Sequence, residues 1–353
     1  HTHTHTHYLP DLRGSLKRVL SPCWVGGLPR LPPSVYAQAW QAILPELHRD
    51  LSNSFYTSSG LPWKTRRLVL CARVGLLFNA KHSQLWYGQG DGCCPLCRHQ
   101  PDGTTHILGG CSHASMANMY TERHNRVGRT LLKAISKGSL GSCLVQMDLG
   151  CSDKVTGAGL SPQPRTFPPG LLPPGTQPSA LPSSRPDAIL AYELNARDEP
   201  CPVSLPISTV PALRARVHIV LVEIKVAARD TDPSGQLGRA TTQHSNLLSF
   251  LLTLGYGSVQ CAPLVVGAAG SIYKTTFTTL TSASLLGVSH EAATTCLRKA
   301  HTLLCESIPA LVGTRAHLAA AHLPPSTAGS RRSTLNHRVP GRARRGAGAA
   351  AGG

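Results

Sequence analysis

Residues 217–226 read Val-His-Ile-Val-Leu-Val-Glu-Ile-Lys-Val. Successive side chains on a strand point to opposite faces, so Val217, Ile219, Leu221, Glu223 and Lys225 share one face. His218, Val220, Val222, Ile224 and Val226 share the other. Both faces are mainly apolar, which predicts a central strand covered on both sides. Shorter apolar runs predict strands over 188–194 and 259–266. Apolar spacing near 3.6 predicts helices over 34–56, with a break at Pro45, and over 64–80, 116–137 and 236–254. Two further helical segments are expected near 273–287 and 290–307. This order of elements predicts an α/β fold.

Residues 152–184 and 195–215 are rich in Pro, and the first of these also in Gly and Ser. They are expected to be insertions, the first flexible and without a core of its own. The low-complexity opening HTHTHTH and closing GRARRGAGAAAGG are expected to be unstructured. Residues 1–33 and 311–353 therefore lie outside the expected folded body. The histidines at 1, 3, 5 and 7 are a minor metal candidate. The chain starts with His rather than Met, and is read as a fragment or a conceptual translation. Residues 247–273 carry no charge, but five Gly or Pro residues and Gln260 interrupt them. A helix, a turn and a strand explain them better than a membrane span, and no membrane association is expected.

The 353 residues are 41% hydrophobic, enough for a sizeable core. Lys and Arg number 35 against 17 Asp and Glu, a net charge of +18. That excess favours an anionic partner, nucleic acid ahead of an acidic membrane surface. Twelve cysteines without a secretory signal suggest a reducing compartment.

Four residues have metal-ligand spacing: Cys94, Cys97, His106 and Cys111, in the pattern Cys-x2-Cys-x8-His-x4-Cys. Zinc takes four tetrahedral ligands and favours thiolate and imidazole. Four protein ligands leave no open position, so such a zinc is structural. Chance clustering in a Cys-rich chain is the alternative. Cys93, His99 and His113 are spare, and Cys93 in place of Cys94 is the leading alternative register. The knuckle could clamp nucleic acid, or serve only as a staple for a segment with little core.

Acids are scarce, so Asp187 before an apolar run and Glu223 inside one stand out. A buried carboxylate and ammonium are costly unless paired or used. If strands 188–194 and 217–226 pair antiparallel with 194 opposite 216, Asp187 falls opposite Glu223, with Lys225 just beyond. Two such carboxylates suit a hard divalent cation, Mg2+ or Mn2+. Lys225 could orient or deprotonate a water, or neutralise transition-state charge. A surface Asp and an ordinary Glu–Lys pair are the alternative. Gln243, His244, Tyr273 and Lys274 are weaker candidates for DNA contact.

Pro186-Asp187…Glu223-Ile224-Lys225 resembles the signature of restriction-like nucleases. The order of features is a basic helical region, CPLC…THILGGC, ERHNRVGRTLLKAI, Arg-Pro-Asp and a strand with a second acid. It resembles the C-terminal part of non-LTR retrotransposon proteins of the restriction-like-endonuclease type. The resemblance covers roughly residues 64–290. It implies a restriction-endonuclease-like mixed sheet flanked by helices over 116–310, preceded by a CCHC zinc knuckle at 81–115 and a helical basic region at 34–80. It implies an endonuclease that nicks target DNA for target-primed reverse transcription. Asp187 and Glu223 would be Mg2+ or Mn2+ ligands and Lys225 the catalytic lysine. Arg123, His124 and Asn125 match the family's helix and, with Arg185, are candidates for nucleic-acid contact, a solvated helix face or a helix–sheet contact being the alternative for the three on the helix. The implied partners are target DNA and element RNA, with a polymerase domain in the parent polypeptide, and the implied location is the nucleus. The chain departs from the family in its long Pro-rich insertions, in lacking a reverse-transcriptase motif, and in having no lysine on the helix over 236–254. A non-catalytic, zinc-dependent nucleic-acid-binding fragment of a decayed element is the alternative.

Overall fold

The computed structural model describes residues 35–57, 60–98, 101–147, 167–173, 175–176, 185–207 and 210–321. The expectations for residues 1–33, for His99, for most of the insertion at 152–184 and for residues beyond 321 fall outside them. Eight helices of eight residues or more carry the described fold: α1 Val35–Ile43, α2 Trp63–Arg73, α3 Ala80–Tyr87, α4 Ala114–Ile135, α5 Pro233–Gln243, α6 Ser245–Thr253, α7 Lys274–Thr281 and α8 His290–Ala321. The strands are β1 Leu144–Met147, β2 Ala188–Leu194, β3 Pro200–Pro202, β4 Val217–Ala227 and β5 Ser258–Gly267.

The five strands form one mixed open sheet in the order β1-β2-β4-β5, with β3 sharing the β2 edge with β1. β2 runs antiparallel to β1, β3 and β4, and β5 runs parallel to β4. A parallel pair needs a crossover, and α5 and α6 supply it. The β2–β4 register is the expected one. Ala188 faces Val222 and Glu193 faces Val217. Asp187 and Glu223 lie one step beyond this ladder.

Period-two patterning fixes which side of β4 meets which helix. Val220, Val222 and Ile224 pack with Val127, Leu131 and Leu132 of α4 and with Leu297, Ala300 and Leu304 of α8. Val217, Ile219 and Leu221 pack with Leu247 and Leu251 of α6. Each such side chain, fully buried, contributes about 2 kcal/mol of hydrophobic stabilisation. The helical basic region builds a separate cluster. Phe55, Leu61, Val69 and Leu77 pack with Ile107, Leu108, Cys305 and Ile308.

Several expectations are corrected. The segment 34–56 breaks at Pro45 as expected, α1 ending at Ile43, but its second part is two short helical turns over residues 49–57 instead of one helix. The helix over 64–80 ends at Arg73, and α3 follows as a separate element. The segment 236–254 is two helices, broken at His244, whose φ of −105° and ψ of 9° depart from helix. The loop 195–215 contains β3, which pairs back onto β2. Inside the first Pro-rich insertion, Leu171 is fully buried among Ile189, Val217 and Tyr256. That part of the insertion does contribute to a core.

The last correction concerns α8. The folded body was expected to end at 310, after a helix over 290–307. The helix continues to Ala321. Two tertiary contacts hold the extension. Leu311 is buried beside Cys94, Cys111 and Met116, and Arg315 pairs with the fully buried Asp102.

Candidate metal centre and acidic site

The four residues chosen by spacing come together. Cys94, Cys97, His106 and Cys111 each offer a ligand atom, and these atoms lie within 4.8 Å of one another. Cys94 Sγ is 3.8 Å from Cys111 Sγ, and Cys97 Sγ is 3.4 Å from His106 Nε2. With metal–sulfur bonds of about 2.3 Å, a tetrahedral ion needs sulfurs roughly 3.8 Å apart, so the set fits. The cluster could hold a metal such as zinc.

Its chemistry agrees with its geometry. Burial pushes the Cys111 thiol up to about 12, with Cys94 and Cys97 adding to the effect. Only a cation would hold such a group as thiolate at neutral pH. Burial also lowers the His106 pKa, keeping it a neutral donor. The alternative register is not adopted. Cys93 stands outside the cluster, its amide donating to Asp91 Oδ1 at 2.8 Å, and His113 starts α4.

Local structure explains why the cluster forms. The amide of Arg98 donates to Cys94 O at 3.0 Å, closing the first knuckle, and Arg98 takes a φ of +59°. The return segment is braced from below, where Tyr120 of α4 donates to the carbonyls of His106 and Ile107. Gly109 faces the far end of β4, where a Cβ would lie 2.7 Å from Ala228 Cβ. Here the knuckle meets the sheet.

The second site gathers at the β2–β4 end. Asp187 is buried in the bend before β2, and its Oδ2 accepts from the Ile224 amide at 2.6 Å. Glu223, the residue before that amide, is also buried. Its Oε1 lies 2.5 Å from Lys225 Nζ, and its Oε2 accepts from His244 Nε2 at 2.8 Å. Lys225 Nζ also donates to Gln243 Oε1 at 2.7 Å. The Asp187 carboxylate therefore rests on the peptide that joins Glu223 to Ile224, while the Glu223 carboxylate is held by Lys225 and His244. Burial would raise the Glu223 pKa. The hydrogen bonds from His244 and Lys225, with the lysine charge, override it and hold the carboxyl below its usual value.

His124 approaches from α4. Its Nε2 donates to Ile224 O at 2.9 Å and lies 3.6 Å from Asp187 Oδ2. Asn125 Oδ1 is 3.3 Å from His124 Nδ1. Burial opposes charge on this ring, but Asp187, the Ile224 carbonyl and Asn125 outweigh it and push the pKa up to about 9. His124 is therefore a cation at neutral pH, facing Asp187.

The remaining candidates separate. Arg185 is exposed at the entrance to β2. Arg123, grouped above with possible nucleic-acid contacts, is buried and donates to Leu108 O at 2.7 Å, tying α4 to the knuckle. Tyr273 is buried, with its hydroxyl on Asp230 O. Gln243 and His244 point into the acidic site rather than away from it. The pairing of His244 with Glu223 was missed from sequence. A signal did exist: a carboxylate in a covered strand needs a donor, and a histidine follows on the next crossover.

Among the described residues no helix is long and apolar enough to cross a membrane. No protein-family model matches this chain, and no curated protein matches it either.

Proposed function

We propose that the chain is a metal-dependent DNA endonuclease of restriction-like architecture, carrying a structural zinc knuckle, from a non-LTR retrotransposon protein. One observation carries this reading. Asp187, in the bend before β2, sits beside the Glu223-Ile224-Lys225 segment of the neighbouring strand, with its carboxylate on the Ile224 amide.

The donor set suits a hard divalent cation. Asp187 Oδ1 carries no hydrogen bond among the described residues, whereas both Glu223 oxygens and the Ile224 carbonyl are engaged by Lys225, His244 and His124, which an incoming ion would have to displace. A bound Mg2+ or Mn2+ would supply Lewis acidity toward a phosphodiester oxygen. The protein's own groups do the rest. His244 fixes the Glu223 carboxylate. Lys225, half-buried and held by Gln243, offers a cation to a phosphate and a proton-transfer group to a water. His124 balances the Asp187 charge. The net charge of +18 suits DNA and RNA, and the nucleus is the matching compartment.

The test is nicking of supercoiled plasmid with added Mg2+ or Mn2+. Asp187→Asn and Glu223→Gln should each lower the rate by orders of magnitude while duplex binding persists. Wild-type nicking by both variants would sink the assignment.

One observation favours a second reading, a non-catalytic nucleic-acid-binding fragment. Both acids are already balanced by protein cations, Glu223 by Lys225 and Asp187 by His124. That reading requires salt-sensitive binding and no cleavage with either metal.

A further inference from the structure

α3 is a helix with no buried side chain. Phe78, Leu85, Trp86 and Tyr87, at its start and along it, are 64%, 66%, 55% and 64% exposed. Hydrophobic side chains gathered like this on a surface mark a contact face. The helix is nevertheless held rigidly. Asn79 caps it by accepting from the His82 amide at 2.9 Å, and Gly88 closes it in the left-handed region at φ +63°. The Ala80 amide donates to Asp102 Oδ2 at 2.6 Å, which fastens the helix to the knuckle.

The exposed rings are already arranged. His82 and Trp86, one helical turn apart, stack with centroids 4.4 Å apart and planes 3° from parallel. Basic residues outnumber acids in this part of the sequence. Over residues 63–98 the cations are Lys64, Arg66, Arg67, Arg73, Lys81 and Arg98, and Asp91 is the one acid. Lys81 lies on α3 itself, beside Gly92 of the knuckle.

We propose that the exposed aromatic face of α3 is a stacking platform for single-stranded nucleic acid, with Trp86 on its His82 support and Tyr87 receiving bases, and Lys81 with the knuckle's Arg98 receiving phosphates. An aromatic ring offers a base its face, and every base has one, so such a platform binds without regard to sequence. Duplex bases are stacked on each other and have no face to give. The occupant is therefore a single strand, a class of ligand the nuclease reading does not need. An anionic membrane surface fits less well, since an eight-residue helix buries little apolar area and carries one lysine, Lys81, to meet the headgroups.

The test uses the whole chain with its structural metal and no added divalent cation, so binding is read independently of cleavage. Fluorescence anisotropy would follow a fluorescein-labelled oligothymidylate and, separately, a labelled duplex. The single strand should bind more tightly. Trp86→Ala should weaken it about tenfold, and Trp86→Phe should restore most of the loss. Lys81→Ala should reduce the salt dependence of binding. Both side chains are exposed, so the three variants keep the fold. Equal single-strand affinity for wild type and Trp86→Ala would overturn the proposal. So would Trp86-dependent binding to phosphatidylserine vesicles, or a Trp86-dependent dimer, without single-strand binding.

Discussion

The two centres differ in how far the chain must travel to build them. Cys94 and Cys111 are 17 positions apart, and Cys97 and His106 lie between them. In the acidic site, Asp187 reaches an amide 37 positions away, and His124 contacts a carbonyl 100 positions away. A local ligand set can be recognised from spacing, and a bound ion supplies the energy that closes it. A distant set exists only where sheet register and two packed faces hold it, and the cores supply that energy.

The strongest way to break this contrast is to remove one thiolate. Cys94→Ser should reduce bound metal from one per chain to near none and melt the segment from α3 to the start of α4, leaving the sheet folded. Apparent metal-binding energies in small zinc modules are about 10–16 kcal/mol, so the local loss should be complete. Metal analysis and circular dichroism would show it. Unfolding of the whole chain would mean that the knuckle is not a separate unit.

The knuckle is not wholly local, however, because Arg315 of α8 pairs with Asp102 beneath it. Arg315→Ala leaves a buried carboxylate unpaired and should cost about 3 kcal/mol in chemical denaturation. It should also speed metal release to a chelator. Release at the wild-type rate would show that the α8 extension is dispensable to the cluster.

pH sharpens the other side of the comparison. The folded His124 pKa of about 9 exceeds the ordinary 6.5. Its pairing with Asp187 is therefore fully stabilising below about pH 6.5 and is lost as pH rises through 9. The contribution is up to about 3 kcal/mol. His124→Gln should flatten the fall in stability between pH 6.5 and 9, and an unchanged slope would contradict the ion pair. Glu223 has the opposite sign. Its lowered pKa contributes stability above the usual carboxylate range and loses it as pH falls.

The smallest expected effect is at Cys93. Cys93→Ser should retain the metal and change stability by no more than about 0.5 kcal/mol. Loss of metal would mean that the ligand set is shifted by one residue from Cys94.

Much of this arrangement was legible in particular residues. Alternation in β4 assigned Val220, Val222 and Ile224 to one core and Ile219 and Leu221 to the other. The antiparallel register placed Asp187 beside the Glu223-Ile224 peptide. Other features were not legible. Nothing local requires the helix over 236–254 to break at His244, and it is from this break that His244 contacts Glu223. Pro309 reads as a helix stop, yet α8 crosses it. Leu171 sits in a Pro-rich stretch that composition marks as coreless.

By itself, the sequence determined the strand faces, the metal-ligand spacing and the level at which the two acids lie, because periodicity and short loops are properties of neighbouring residues. Only the tertiary structure decided which cations neutralise those acids, that Arg123 is buried rather than presented, and how far α8 runs. Each of these depends on burial against a segment remote in the chain. The energy that decides such contacts, whether a desolvated charge gaining a partner or Leu311 covered by the knuckle, has no counterpart in local pattern.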